Sequence, residues 1–171
     1  FDLTVTSIFT PLVSGTKMVI YSSEETEYVL YRIMRENKVT IIKLTPAHLS
    51  LLTEYNYSNS KLKVFIVGGE ELKVNLAKKI QENFGTGLAI YNEYGPTEAT
   101  VGCMIHKYDI EEDKGLSVPI GIPADNVKIY ILDEDKNLAY YDCAGELYIG
   151  GDGVASGYVN MKQLTEERFI E

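Results

Sequence analysis

Three short apolar runs, Val39 to Leu44, Leu62 to Val67 and Leu88 to Tyr91, alternate with stretches whose apolar residues recur at helical spacing. No other feature constrains the fold as much, because strands joined through helices lie parallel in one sheet with the crossovers packed on its faces. Lys73 to Phe84 carries Leu76, Ala77, Ile80 and Phe84 on one helical face, with Gly85 and Gly87 after it as the stop. Asp2 to Val13 repeats the pattern and ends at Gly15, Thr16 to Tyr21 reads as a strand, and Pro46 starts a short helix with Leu49, Leu51 and Leu52. Ser22-Ser23-Glu24-Glu25 reads as an N-cap with an acidic first turn before the apolar face of Val29, Leu30, Ile33 and Met34. Beyond about residue 118 the texture changes to short β-rich segments, Val127 to Leu132 and Glu146 to Ile149, expected to be mainly antiparallel. The expected architecture is α/β: a mostly parallel sheet with crossover helices over residues 1–117, then a β-rich, barrel-like segment over 118–171 that is truncated at its C-terminal end.

A chain of 171 residues, 45% of them hydrophobic, can bury a substantial core. Its formal charge is −9 and its basic residues are scattered rather than striped, which argues against nucleic acid or an anionic membrane as the main partner. No apolar run approaches the roughly 20 residues of a membrane-spanning helix. Cys103 and Cys143 lie far apart and outside any CxxC pattern, and read as reduced, buried cysteines of a cytoplasmic protein. Glu111-Glu112-Asp113 reads as a solvated loop, and His48 and His106, lacking a partner pattern, as structural or solvent-exposed. An amphipathic pattern that starts at Phe1 and a helical turn that stops at Glu171 suggest an excerpt of a longer polypeptide.

Asn92-Glu93-Tyr94-Gly95-Pro96-Thr97-Glu98 gathers an aromatic ring, a turn, a hydroxyl and a carboxylate at the carboxyl end of a strand, where open α/β sheets bind ligands. Blander roles compete at each position. Tyr94 could be a core tyrosine, Thr97-Glu98 a helix start, Asp2 an N-cap for the first helix, and Lys43 and Glu93 an ordinary surface ion pair.

Other segments carry a resemblance that weighs against the bland roles. Phe1-Asp2 with Thr4, Phe65-Ile66-Val67-Gly68-Gly69-Glu70, the Asn92 to Glu98 run, Gly145-Glu146-Leu147-Tyr148-Ile149 through Gly157-Tyr158, and Leu164-Thr165-Glu166-Glu167-Arg168-Phe169 follow one another in an order and spacing similar to those of the adenylate-forming superfamily. The chain particularly resembles the amino-acid adenylation domains of nonribosomal peptide synthetases, over its whole length. Thr4 stands where that family usually has Ser, and Ser156 where it usually has Arg. The family's phosphate-binding Ser/Thr/Gly-rich loop would precede Phe1, and its ribose-binding Asp and catalytic Lys would follow Glu171.

The resemblance implies an ATP-dependent ligase in which an amino-acid carboxylate attacks the α-phosphate of ATP, releases pyrophosphate, and leaves an aminoacyl adenylate for a carrier-protein phosphopantetheine thiol. Tyr94 would stack on adenine with Gly69, Glu70 and Glu71 near the opposite face, Asn92 and Gly95 would belong to the same nucleotide site, Thr97 would bind the α-phosphate, and Glu98 would hold Mg²⁺. Thr97 and Glu98 are thus the implied catalytic residues. Asp2 would pair with the substrate ammonium. The implied substrate pocket is Asp2, Leu3, Thr6, Lys43, Ile66, Gly68, Glu93, Val101 and Gly102, a combination similar to that of asparagine-activating domains. Lys43 can donate to a side-chain carbonyl and Glu93 can accept from an amide, which suits asparagine, with glutamine as the longer alternative. Implied partners are carrier-protein and condensation domains. The competing expectations are an acyl-CoA or aryl-acid ligase of the same superfamily, and a non-catalytic nucleotide-binding domain.

Overall fold

The computed structural model describes residues 2–22 and 26–170. The expected parallel ladder is present: β1 (Ile41–Leu44), β2 (Val64–Gly68) and β3 (Ala89–Tyr94) lie side by side and parallel. Two further strands make the sheet mixed, since β4 (Met104–Lys107) and β5 (Ile122–Pro123) add antiparallel edges in the order β1-β2-β3-β4-β5. β5 follows residue 118 in the chain yet completes this first sheet.

Helix α1 (Thr4–Ser14) ends as its sequence dictates, with Gly15 at φ +66°, a left-handed conformation that glycine adopts without Cβ strain. Helix α2 (Val29–Glu36) buries Leu30 and Met34 and closes on Asn37, also left-handed. α2 starts from Tyr28 with no side-chain cap bond; of the expected Ser22 to Glu25 cap, residues 23–25 lie outside the described residues. Residues 16–22 form no strand. A strand persists through its ladder bonds, and no described strand pairs with this segment, in which Ile20 is exposed.

Thr45 caps α3 (Pro46–Ser50), accepting a bond from the His48 amide. Helix α4 (Val74–Phe84) turns Ala77, Ile80 and Phe84 inward, as its spacing requires. They meet Leu49, Leu52, Phe65, Val67, Leu72 and Ile90, all fully buried, with Phe65 edge-on to Phe84 at 5.3 Å.

The β-rich half is an antiparallel pair, β6 (Val127–Leu132) with β7 (Glu146–Gly151), followed by α5 (Lys162–Arg168). Val127, Ile129, Leu147 and Ile149 pack on Ala99, Cys103 and Met104, so the small sheet rests on the segment between β3 and β4. Two expectations change here. Asp113 is buried rather than solvated, because its carboxylate is bonded to His106 Nε2 at 2.9 Å and to the Asp109 amide at 2.9 Å. Cys103 is buried as expected, but Cys143 is exposed on the loop before β7.

Candidate functional site

Consecutive strand residues face opposite sides of a sheet, and registered residues of neighbouring parallel strands share a side. Lys43 is registered with Ile66, Ile66 with Tyr91, and Gly68 with Glu93, so Lys43, Ile66, Gly68 and Glu93 share one face of β1 to β3. Phe65, Val67, Ile90 and Asn92 take the opposite, buried face. The sheet's alternation therefore decides the role of Asn92. Its side-chain amide donates to the Val118 and Pro119 carbonyls at 3.1 and 2.9 Å, anchoring the chain that leads into β5, on the side of the sheet away from Lys43 and Glu93.

On the open face, Lys43 Nζ donates to Thr6 Oγ1 at 2.8 Å and forms an ion pair with Glu93. The Lys43 and Glu93 side chains are 5% and 15% exposed, so this is a shielded pair and not a solvated surface one. Two glycines leave room for it. A Cβ at Gly68 would sit 2.7 Å from the Glu93 carbonyl oxygen, and one at Gly102 would sit 2.6 Å from Glu93 Cδ. Gly102→Ala is expected to displace the Glu93 carboxylate and cost about 1–3 kcal/mol, whereas Gly87→Ala, with nothing within 4 Å of its Cβ, serves as the neutral control. Denaturant unfolding of the two variants checks this, and equal stabilities would contradict it.

The strand that carries Glu93 continues to Tyr94, so the Asn92 to Glu98 run is half strand and half turn rather than lying wholly past a strand end. Tyr94 is 37% exposed, leaving ring surface available. Gly95 lies so close to the Val101 to Cys103 backbone that any Cβ would collide with the Val101 carbonyl. Pro96 leads into a 3-10 turn, Thr97–Ala99, and Thr97 Oγ1 donates to Asp2 Oδ2 at 2.7 Å. Two side chains 95 residues apart thereby touch.

Thr100 and Val101 follow with φ of +58° and +72°. For β-branched residues this is strained backbone, costing about 1–3 kcal/mol each, and such strain tends to gather at functional sites. The Gly102 amide bonded to the Thr100 carbonyl at 3.0 Å helps hold it. At the end of β2, Gly69 turns with φ +84° and approaches Leu3 Cδ1, to which a Cβ would come within 3.3 Å. The flanking carboxylates are engaged in the fold: Glu70 accepts from the Ala47 amide at 3.2 Å, and Glu71 pairs with Lys73 at 2.7 Å and accepts from the Ser117 hydroxyl. What Gly69, Glu70 and Glu71 can offer a flat ligand is chiefly backbone.

Glu98 is partly buried, and Tyr158 donates its hydroxyl to Glu98 Oε1. That bond, then the residue's own backbone amide, holds the Glu98 carboxyl below the usual carboxylate range against the opposing effect of burial. The sequence had Tyr158 only as part of a matching motif. Its contact with Glu98, 60 residues away, was not legible.

Among the described residues no group of three or more His, Cys, Asp or Glu forms a ready metal cage. A single ionised carboxylate nevertheless suits Mg²⁺, which prefers oxygen, keeps several waters, and commonly binds through one or two carboxylates together with substrate phosphates. Glu98 fits an ion that arrives with a nucleotide.

Taken together, the parallel strand ends, the glycine turn at Gly69, the exposed Tyr94 and the Thr97-Glu98 turn make up the candidate ligand site of an α/β protein. Residues 1–159 match the family model described as AMP-binding enzyme, and the chain belongs to that family. It is 55% identical over 171 residues to bacitracin synthase 3 of Bacillus licheniformis and 52% identical over 171 residues to tyrocidine synthase 3 of Brevibacillus parabrevis. These matches cover 99% and 100% of this chain but only 3% of each synthase. Among solved structures, the Vibrio cholerae adenylation domain AlmE, in complex with glycyl-adenosine-5'-phosphate, superposes with a TM-score of 0.83 at 26% identity, covering 100% of this chain and 34% of that one.

Proposed function

We propose that the longer protein to which this chain belongs is a nonribosomal peptide synthetase that activates L-asparagine, with this chain forming the amino-acid side of the site and part of the nucleotide side. The supporting observation is the Asp2 to Thr97 hydrogen bond of 2.7 Å. It puts a carboxylate suited to a substrate ammonium beside a hydroxyl suited to an α-phosphate, so an amino-acid carboxylate lying between them has only a short path to phosphorus. The new bond joins that carboxylate oxygen to the α-phosphorus, the bond to the β-phosphate oxygen breaks, and pyrophosphate leaves with that electron pair.

In this reading Asp2 pairs with the ammonium and orients the carboxylate, Thr97 exchanges its bond to Asp2 for one to the α-phosphate, and Tyr94 offers its ring to adenine opposite the Gly69 backbone. Glu98 would hold Mg²⁺, which when bound neutralises charge on the phosphates. Leu3, Ile66, Val101 and the two glycines Gly68 and Gly102 shape the pocket around Thr6, Lys43 and Glu93. A neutral amide can bridge the Lys43–Glu93 pair, with its carbonyl accepting from Lys43 and its amide donating to Glu93. Aspartate brings a second carboxylate toward Glu93, and leucine offers no bonds to buried polar groups, a mismatch such sites reject strongly.

The aminoacyl adenylate is then passed to the phosphopantetheine thiol of a carrier domain, with a condensation domain downstream in the chemistry. In this reading the larger subdomain, the five-stranded sheet with its helices, holds substrate and the smaller, the β6–β7 pair with α5, braces the Thr97 to Ala99 turn, so the division falls after β5 rather than at residue 118. Among the described residues no helix is long and apolar enough to cross a membrane. ATP–pyrophosphate exchange by the full-length protein with asparagine, glutamine, aspartate and leucine tests the substrate. Asparagine should give the highest kcat/KM; leucine or aspartate in first place would remove the assignment.

A further inference from the structure

Three contacts join the loop after β7 to the turn that carries Thr97 and Glu98. Thr100 Oγ1 donates to the Gly153 carbonyl, the Ala155 amide donates to the Glu98 carbonyl at 2.8 Å, and the Tyr158 hydroxyl donates to Glu98 Oε1. Only the third reaches a side chain proposed for chemistry.

Tyr158 is itself held from three sides. Its amide donates to Thr165 Oγ1 at 2.9 Å, its ring stands edge-on to Phe169 at 5.5 Å, and the preceding Gly157, at φ +127°, packs so tightly on Thr165 that any Cβ would collide. The hydroxyl is therefore presented from a braced ring rather than from a free side chain. Glu98 and Tyr158 also border one open cleft, together with Pro96, Tyr148, Arg168 and Phe169. The carboxylate is thus tethered through Oε1 to the Tyr158 hydroxyl and lies beside open space.

We infer that Tyr158 is a positioning residue: its hydroxyl fixes the Glu98 carboxylate through Oε1 and leaves the second oxygen available to a nucleotide-bound Mg²⁺. This rests on the adenylation reading above. A bonded carboxylate presents its free oxygen in one orientation, whereas an untethered glutamate must be ordered by the metal, and partners of this kind typically change metal affinity about 10- to 100-fold. The smaller subdomain, through α5 and Phe169, would in this way set the metal affinity of a residue on the larger one.

Calorimetric ATP binding by the full-length protein, with and without Mg²⁺, reads this apart from turnover. In Tyr158→Phe, which keeps the ring against Phe169, the gain in ATP affinity that Mg²⁺ confers on the wild type should shrink about 10-fold, while affinity for metal-free ATP stays unchanged. In a Glu98→Gln background the same substitution should have no further effect, because its route is through that carboxylate. An unchanged Mg²⁺ gain in Tyr158→Phe, or a further loss on top of Glu98→Gln, overturns the role of Tyr158 and leaves the adenylation reading intact. A wild type that binds ATP no better with Mg²⁺ overturns both this inference and the proposed metal role of Glu98.

Discussion

Glu98→Gln in the full-length protein is expected to slow ATP–pyrophosphate exchange about 100- to 1000-fold, and to do so equally for every amino acid tested. The substitution is nearly isosteric and keeps an oxygen for the Tyr158 hydroxyl, so the turn should survive. What disappears is the negative charge that the Tyr158 bond favours, and with it a hard ligand for Mg²⁺. The loss belongs in kcat as well as in the KM for MgATP, because charge on the phosphates grows as pyrophosphate departs. The KM for the amino acid should change little, since the proposed function puts Glu98 on the nucleotide side of the site. Loss confined to one amino acid would move Glu98 into the substrate pocket and contradict its assigned role.

Lys43→Met should instead damage both stability and selectivity. It leaves Glu93, whose side chain is 15% exposed, without its cation, and breaking a shielded pair from one side costs about 3–5 kcal/mol. Lys43→Met combined with Glu93→Leu removes the stranded charge, and much of that stability should return; denaturant unfolding reads both variants. In exchange assays Lys43→Met should cost asparagine roughly 2–3 kcal/mol of recognition, on the order of 100-fold in kcat/KM, with a much smaller loss for leucine. A single variant as stable as the wild type would mean that the pair is solvated in the full-length protein. Equal losses for asparagine and leucine would take Lys43 out of the selectivity pocket.

The parts of the fold that were legible in sequence are those built by local periodicity. Ala77, Ile80 and Phe84 made α4 readable because their helical spacing and their burial are the same fact. β1, β2 and β3 were readable because apolar runs between helices have few other places to go. Partners distant in sequence were not. Whether Thr16 to Tyr21 becomes a strand depends on a neighbour to bond with, which its own side chains cannot announce. The burial of Asp113 depends on His106, seven residues back across a turn, and charge runs normally favour water. At the site, the resemblance to the adenylation family placed Lys43, Glu93, Thr97 and Asp2 on the candidate roster, but period-2 alternation had to be read in three dimensions to see that the Asn92 side chain lies on the opposite face of the sheet from Lys43 and Glu93. Tyr158 was hidden because its meaning lies in a bond to Glu98, 60 residues away in sequence.

The central claim is that Asp2 and Thr97 bring an α-amino acid to the phosphate of ATP. Exchange by the full-length protein with L-asparagine and with succinamic acid, the same molecule lacking its α-amino group, tests it most directly. The account predicts robust exchange with asparagine, a loss of at least about 100-fold with succinamic acid, and much less discrimination in Asp2→Ala. Comparable exchange with the two acids by the wild type would contradict it.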